Sequence, residues 1–186
     1  MTLAVADRLA LADLVHLYAA AVDDRRFDDV VELFTETCEL RLPDPPRAMA
    51  PVRHLKGRDG IRAALAQLSG LARTEHAIVG EVYAPGEDAD YALGRIACVA
   101  HHFSVGEGQV SDLIWHLRYD DEYLRTRSGW RIHGRALTIN AIETRSIRRL
   151  RAHPSTNREA VADPSGASTA PQARRTSPPG RSPGTP

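Results

Sequence analysis

The chain has 186 residues, 42% of them apolar, and carries 24 basic and 24 acidic side chains. That length supports one domain with a sizeable core, and a formal charge of zero leaves no overall field to attract nucleic acid or an anionic membrane, so neither is expected as a partner. Lys56 is the only lysine among the 24 basic residues, which speaks against Schiff-base chemistry, and the isolated Cys38 and Cys98 read as small buried hydrophobes rather than a disulfide framework.

The N-terminal residues are interrupted by Asp7, Arg8, Asp13 and His16, so they contain neither a signal-peptide core nor a membrane span, and a reducing cytoplasm is the expected compartment. Residues 11–34 read as two amphipathic helices. Leu14, Tyr18 and Val22 recur at i, i+4 and i+8 in the first, and Phe27, Val30, Val31 and Phe34 at i, i+3, i+4 and i+7 in the second. Asp23 and Asp24 separate them. Asp24 reads as the N-cap of a helix over residues 25–34. Asp23 falls at the C-terminal end of the first helix, where the dipole disfavours a carboxylate by a few tenths of a kcal/mol, so another interaction must justify it. Five helical steps set Tyr18 and Asp23 about 140° apart around the axis, so they converge only if the helix breaks near Val22.

Cys38–Leu42 alternates as a short strand, and Pro43, Pro45 and Pro46 make the next stretch a loop. After Gly57 a third helix carries Ile61, Ala64, Leu65 and Leu68 on one stripe, with Asp59 near its positive end, and stops near Gly70. From Thr74 the period becomes two, and breaks at Pro85-Gly86, Gly106 with Gly108, and Ser128-Gly129 delimit a meander of four long strands. In the first, His76, Ile78, Gly80 and Val82 share a face. In the second, Ala92, Gly94, Ile96, Cys98, Ala100 and His102 share one. Trp115, Leu117 and Tyr119 align in the third, and Trp130 with Ile132 in the fourth. Beyond Arg151 the chain turns rich in Pro, Ser, Thr, Gly and Arg and has too few apolar groups to offset the entropy of ordering. The reading is one α+β domain over residues 1–150, a cone-shaped barrel of curved antiparallel sheet packed against three helices with a pocket between them, and a disordered tail over residues 151–186.

No Walker loop, nucleophile elbow, dinucleotide-binding glycine run or zinc-protease motif is present. His101 and His102 are strand neighbours that point to opposite faces and cannot share one ion, so no metal is assigned. His76 is an imidazole on a largely apolar wall, open to a structural or a chemical reading, and Tyr18 in a core still needs a partner for its hydroxyl.

The run YAAAVDDRRFDDVVELF, then GRDGIRAAL, TEHAIVG, ACVAHHF and SGWRIHGRA, resembles the SnoaL-like branch of the nuclear transport factor 2-like superfamily over residues 6–145. In site layout the sequence is similar to scytalone dehydratase and the bile acid dehydratases. That resemblance implies Asp23, four residues before Phe27, and the histidines His76 and His102 as catalytic groups. Tyr18 fits the spacing of the bile acid dehydratase tyrosine, whereas Val22 stands where scytalone dehydratase has one, and the Ser and Asn of that enzyme's third-strand wall are not reproduced around Leu117 and Tyr119. The implied chemistry is cofactor-free proton transfer beside a carbonyl, ending in loss of water from a small aromatic or polycyclic substrate. His76 is the base, Asp23 its tautomer-fixing partner, Tyr18 the donor to the enolate, and His102 or the proton recycled on His76 the acid. Trp115 and Tyr119 serve as substrate walls. An epoxide-opening or aldol cyclase and an isomerase need the same groups, and a non-catalytic binding or assembly subunit is the alternative of another class. The resemblance also implies a homodimer, with Arg95, His101, His116 and Arg118 on its surface, and an arginine- and proline-rich composition points to a high-GC bacterium and secondary metabolism.

Overall fold

The computed structural model describes residues 2–106 and 108–151. The expected tail therefore lies, apart from Arg151, outside the described residues. Helix α1 spans Val5–Asp23 and buries Leu11, Leu14, Val15 and Val22, each worth about 1.5–3 kcal/mol of apolar burial. It does not break at Val22. It ends in a Schellman closure, with Arg25 N–H donating to the Val22 carbonyl and Arg26 N–H to that of Ala21. Arg25 takes the left-handed φ of 61° usually left to glycine, and its guanidinium is tethered to the Leu71 carbonyl at 3.1 Å. Helix α2 is shorter than expected, Phe27–Glu32, and its N-cap is Arg26. Asp24 is instead the C-cap of α1, because the chain needs two residues of the closure before it can turn into a new helix.

The proline-rich stretch is not a loop. Strand β1, Phe34–Asp44, pairs antiparallel with β2, Ala48–Lys56. β2 is an edge strand, where Pro51, lacking a backbone donor, costs little. Helix α3, Gly57–Ala66, with Ile61 and Leu65 buried, runs into a 3-10 turn over Gln67–Gly70. Then come β3, Arg73–Pro85; β4, Tyr91–Gly106; β5, Gln109–Thr126; and β6, Gly129–Ile147.

These strands form one six-stranded sheet in the order β2-β1-β6-β5-β4-β3. It is mixed, not purely antiparallel, since β1 lies parallel to β6, and it is an open cone with β2 and β3 as its edges. The meander itself is as the alternation implies, with Ala92, Ile96, Cys98, Ala100 and His102 of β4 all buried on the concave side.

Three bulges shift the faces. Between Ile78 and Gly80 the β3 register slips by one residue against β4, so Val82 points outward, 66% exposed, and Glu81 and Tyr83 take the concave side in its place. On β6 the register against β5 slips at Glu122/Tyr123 and again at His116/Leu117. The concave set therefore changes from Trp130 and Ile132 to Arg135, Leu137 and Ile139. A one-residue slip moves every later side chain to the other face.

Candidate active site

A cavity of about 430 Å³ opens between the helices and the concave sheet. Its walls are largely aliphatic, with Leu40, Leu42, Leu65, Leu68, Leu117 and Leu137 among them, and Tyr18, His76, His102, Trp115, Tyr119 and Arg135 also line it. That volume suits a two- or three-ring organic molecule, and apolar walls with a few polar groups are the usual make-up of a ligand pocket.

Asp23 is not on the cavity wall but behind His76. Its carboxylate accepts two hydrogen bonds from that one residue, from the backbone N–H at 2.7 Å and from ring Nδ1 at 2.7 Å. A carboxylate oxygen can only accept, so Nδ1 carries a proton, and in the neutral ring the lone pair is on Nε2. Burial raises the Asp23 titration, but the His76 ring and backbone donors outweigh it and hold the carboxyl below its usual range. These bonds also compensate for the unfavourable end of the helix dipole. Asp23 and Tyr18 both reach His76 from an unbroken helix, because Tyr18 meets the imidazole with its long ring, edge-on at 6.5 Å between centroids, while Asp23 reaches it from the last turn.

His102 faces the cavity and His101 does not; His101 pairs outside with Asp112 at 2.7 Å. His102 Nδ1 lies 3.0 Å from the Leu113 carbonyl, which again fixes the proton on Nδ1 and leaves Nε2 bare. Burial first, and the nearby His76, push its titration below the ordinary histidine value, against the pull of the Leu113 carbonyl. His102 is thus a neutral acceptor at pH 7. Its ring stands 6.4 Å from that of His76 and 4.6 Å from Trp115.

Arg135 is absent from the set read in the sequence. It is 1% exposed, its guanidinium grips Asp121 through Nε at 2.8 Å and Nη2 at 2.6 Å, and it is sandwiched between the rings of Tyr18 and Tyr119 at 4.1 and 4.2 Å. Its remaining nitrogen, Nη1, is buried without a partner among the described residues. Burial opposes the charge, but Asp121 overcomes this and the guanidinium stays protonated. Burial likewise raises the Tyr18 titration, partly offset by Arg135, so its hydroxyl remains a donor. Tyr119 is raised well above the usual tyrosine range by burial. The one signal for Arg135 was SGWRIHGRA, in which strict alternation from Trp130 and Ile132 sends Arg135 outward; the bulge at His133 turns it in. Cys98, pushed up to about 12 by burial, is an inert thiol. No cluster of three or more His, Cys, Asp or Glu side chains suited to a metal occurs among the described residues.

The fold and site define a class: an α+β cone whose enclosed pocket sets a carboxylate-bound imidazole against aromatic and cationic donors. Within that class the chain belongs to the SnoaL-like domain family, whose model matches residues 4–136. It is 31% identical over 150 residues, covering 78% of this chain and 90% of the relative, to the uncharacterized protein Rv2910c of Mycobacterium tuberculosis. Among solved structures it is similar to a candidate scytalone dehydratase of Novosphingobium aromaticivorans, with 21% identity, TM-score 0.64, and 85% and 96% of the two chains covered. It is also similar to the hexachlorocyclohexane dehydrochlorinase LinA-type3 of Novosphingobium barchaimii, with 16% identity, TM-score 0.61, and coverage of 78% and 92%. At these identities the two structures share the fold. No helix among the described residues is long and apolar enough to cross a membrane.

Proposed function

We propose that this protein is a cofactor-independent acid/base enzyme that removes a proton beside a carbonyl of a small aromatic or polycyclic substrate and expels water. The observation that carries the reading is the double grip of Asp23 on His76, through ring and backbone at 2.7 Å each. It supplies an imidazole with a bare Nε2 on a cavity wall and a carboxylate ready to stabilise the imidazolium formed by proton transfer. Tyr18 and the unpaired Nη1 of Arg135 are donors for the developing enolate oxygen, where each such group is worth about 2.7–4 kcal/mol. Because His102 is neutral with its proton committed to Leu113, it is a poor acid. The proton for the leaving hydroxyl is the one recycled on His76.

The test is turnover of 3-hydroxy-1-tetralone in deuterated water, followed by mass spectrometry and NMR. Loss of water to give 1-naphthol supports the proposal, while unchanged mass with a moved double bond or closed ring points to the isomerase or cyclase reading. Neither turnover nor exchange with this and related β-hydroxy ketones refutes it and favours a binding subunit. Self-association through the outer sheet face is part of the same reading. There Arg95 and Arg118 share Asp120, and His116 pairs with Glu143. A monomer in sedimentation at micromolar concentration removes that part.

A further inference from the structure

On the cavity wall, Trp115 and His102 leave two complementary polar atoms unused. The Trp115 indole nitrogen is buried and has no hydrogen-bond partner among the described residues. Its cross-strand neighbours on the same face are Ala100 and Ile142, neither of which has a polar side-chain atom to offer. An orphaned buried N–H is costly to keep, and the cavity that Trp115 lines is where a ligand can bring it an acceptor. Beside it, His102 spends its Nδ1 proton on Leu113, so Nε2 can only accept. One donor and one acceptor on rings 4.6 Å apart match a group that accepts and donates at one oxygen. A hydroxyl does; a carbonyl, an ether or a carboxylate does not.

We infer that Trp115 and His102 form a hydroxyl-recognition subsite, so that the preferred substrate carries, besides its reacting carbonyl, a phenolic or alcoholic hydroxyl on a distal ring. The indole N–H donates to that oxygen and its O–H donates to His102 Nε2. This rests on the proposed carbonyl chemistry at His76 for the orientation of the ligand, but it is tested by binding and not by turnover.

The probes are 1-tetralone, its 5-, 6- and 7-hydroxy derivatives and the matching methoxy compounds, titrated into the full chain. The readout is the indole N–H signal in a ¹H–¹⁵N spectrum. The chain has two tryptophans, and the Trp130 indole is bonded to Asp7, so the signal lost in Trp115→Phe identifies Trp115. The expected result is that one hydroxy isomer binds about 10-fold more tightly than 1-tetralone and moves the Trp115 signal downfield. Its methoxy counterpart should lack the gain, having no proton for His102. Trp115→Phe should abolish the preference, so that in that variant the hydroxy isomer binds no more tightly than 1-tetralone. Hydroxy isomers that bind no better than 1-tetralone, an equal loss of all probes in Trp115→Phe, or no binding of any probe would overturn the inference. A subsite failure with intact proton exchange leaves the proposed chemistry standing, and the reverse result leaves the subsite standing.

Discussion

Replacing Asp23 with asparagine exchanges one oxygen for an NH₂ group and, by the geometry, inverts the imidazole. The carboxylate meets two donors on His76, backbone N–H and ring Nδ1–H, each at 2.7 Å. An amide has one acceptor and one donor end. The backbone N–H can be met only by the oxygen, which leaves the NH₂ facing Nδ1. Nδ1 must then accept, so the ring proton moves to Nε2 and the cavity faces an N–H where it had a lone pair. The variant also loses the charge-assisted bond to the imidazolium, about 1.5–3 kcal/mol, or roughly 10- to 150-fold in rate. With the tautomer penalty added, turnover of 3-hydroxy-1-tetralone should fall by about two to three orders of magnitude. Folding should survive, because the side chain keeps its shape and a carboxylate leaves the negative end of α1, a gain of a few tenths of a kcal/mol. Kinetics, a urea titration and the ¹⁵N shifts of the His76 ring check these points together. Turnover within three-fold of the parent, with the Nε2–H tautomer verified by NMR, would refute the base assignment.

The same contacts set four further outcomes. His102, whose titration burial lowers, should protonate in an NMR titration only below the ordinary histidine value. Since the unfolded chain then binds more protons than the native one, its contribution to stability is complete above the ordinary histidine value and is lost as pH falls from there through the native value. Asp23, also lowered, contributes above the ordinary carboxylate range and loses that contribution as pH falls through its native value, an acid-side decline absent from Asp23→Asn. Arg135→Met should cost about 3–5 kcal/mol in urea unfolding by leaving Asp121 buried with only the Tyr123 hydroxyl, and the double variant with Asp121→Leu should recover much of it. In Gly94→Ala the new Cβ would stand 2.8 Å from Tyr123 Cε2 and 3.2 Å from Tyr83 Cδ1, and because Asp121 holds the Tyr123 ring, a loss of about 1–3 kcal/mol and a lower melting temperature are expected.

Helix faces and strand alternation were legible where local periodicity is decided by burial: Leu14 and Val22 on α1, Ile61 and Leu65 on α3, and the whole concave side of β4 through His102. Legibility failed where one residue changes parity. Val82 and Arg135 each come after a bulge, and the one local mark is a glycine beside each extra residue, Gly80 after Val79 and Gly134 after His133, which does not say that the register slips, because a bulge is fixed by the curvature the sheet needs to wrap its helices. The hairpin of β1 and β2 was hidden for a different reason. Its prolines forbid central pairing, and only the tertiary arrangement reveals that β2 sits at an edge where they are tolerated. Asp24 was misplaced because capping preferences do not foresee a left-handed arginine, held by its bond to Leu71.

If His76 both takes the α-proton and returns it to the leaving hydroxyl, the stereochemistry of the elimination is fixed. A single imidazole nitrogen serves both positions from one side of the substrate ring, since His102 has its proton tied to Leu113 and cannot act as acid from elsewhere on the wall. Elimination must then be syn. With 3-hydroxy-1-tetralone carrying deuterium at one diastereotopic α-position, the enzyme should remove the isotope cis to the hydroxyl and retain the trans one, read directly as deuterium content in the 1-naphthol formed. His102→Gln should leave that selectivity intact, because the acid is on the other histidine. Loss of the trans deuteron would mean that a second acid approaches from the opposite face. Tyr18, whose raised titration keeps its proton in place, would then be the group to substitute, with Tyr18→Phe losing the anti pathway while retaining the ring that packs against Arg135.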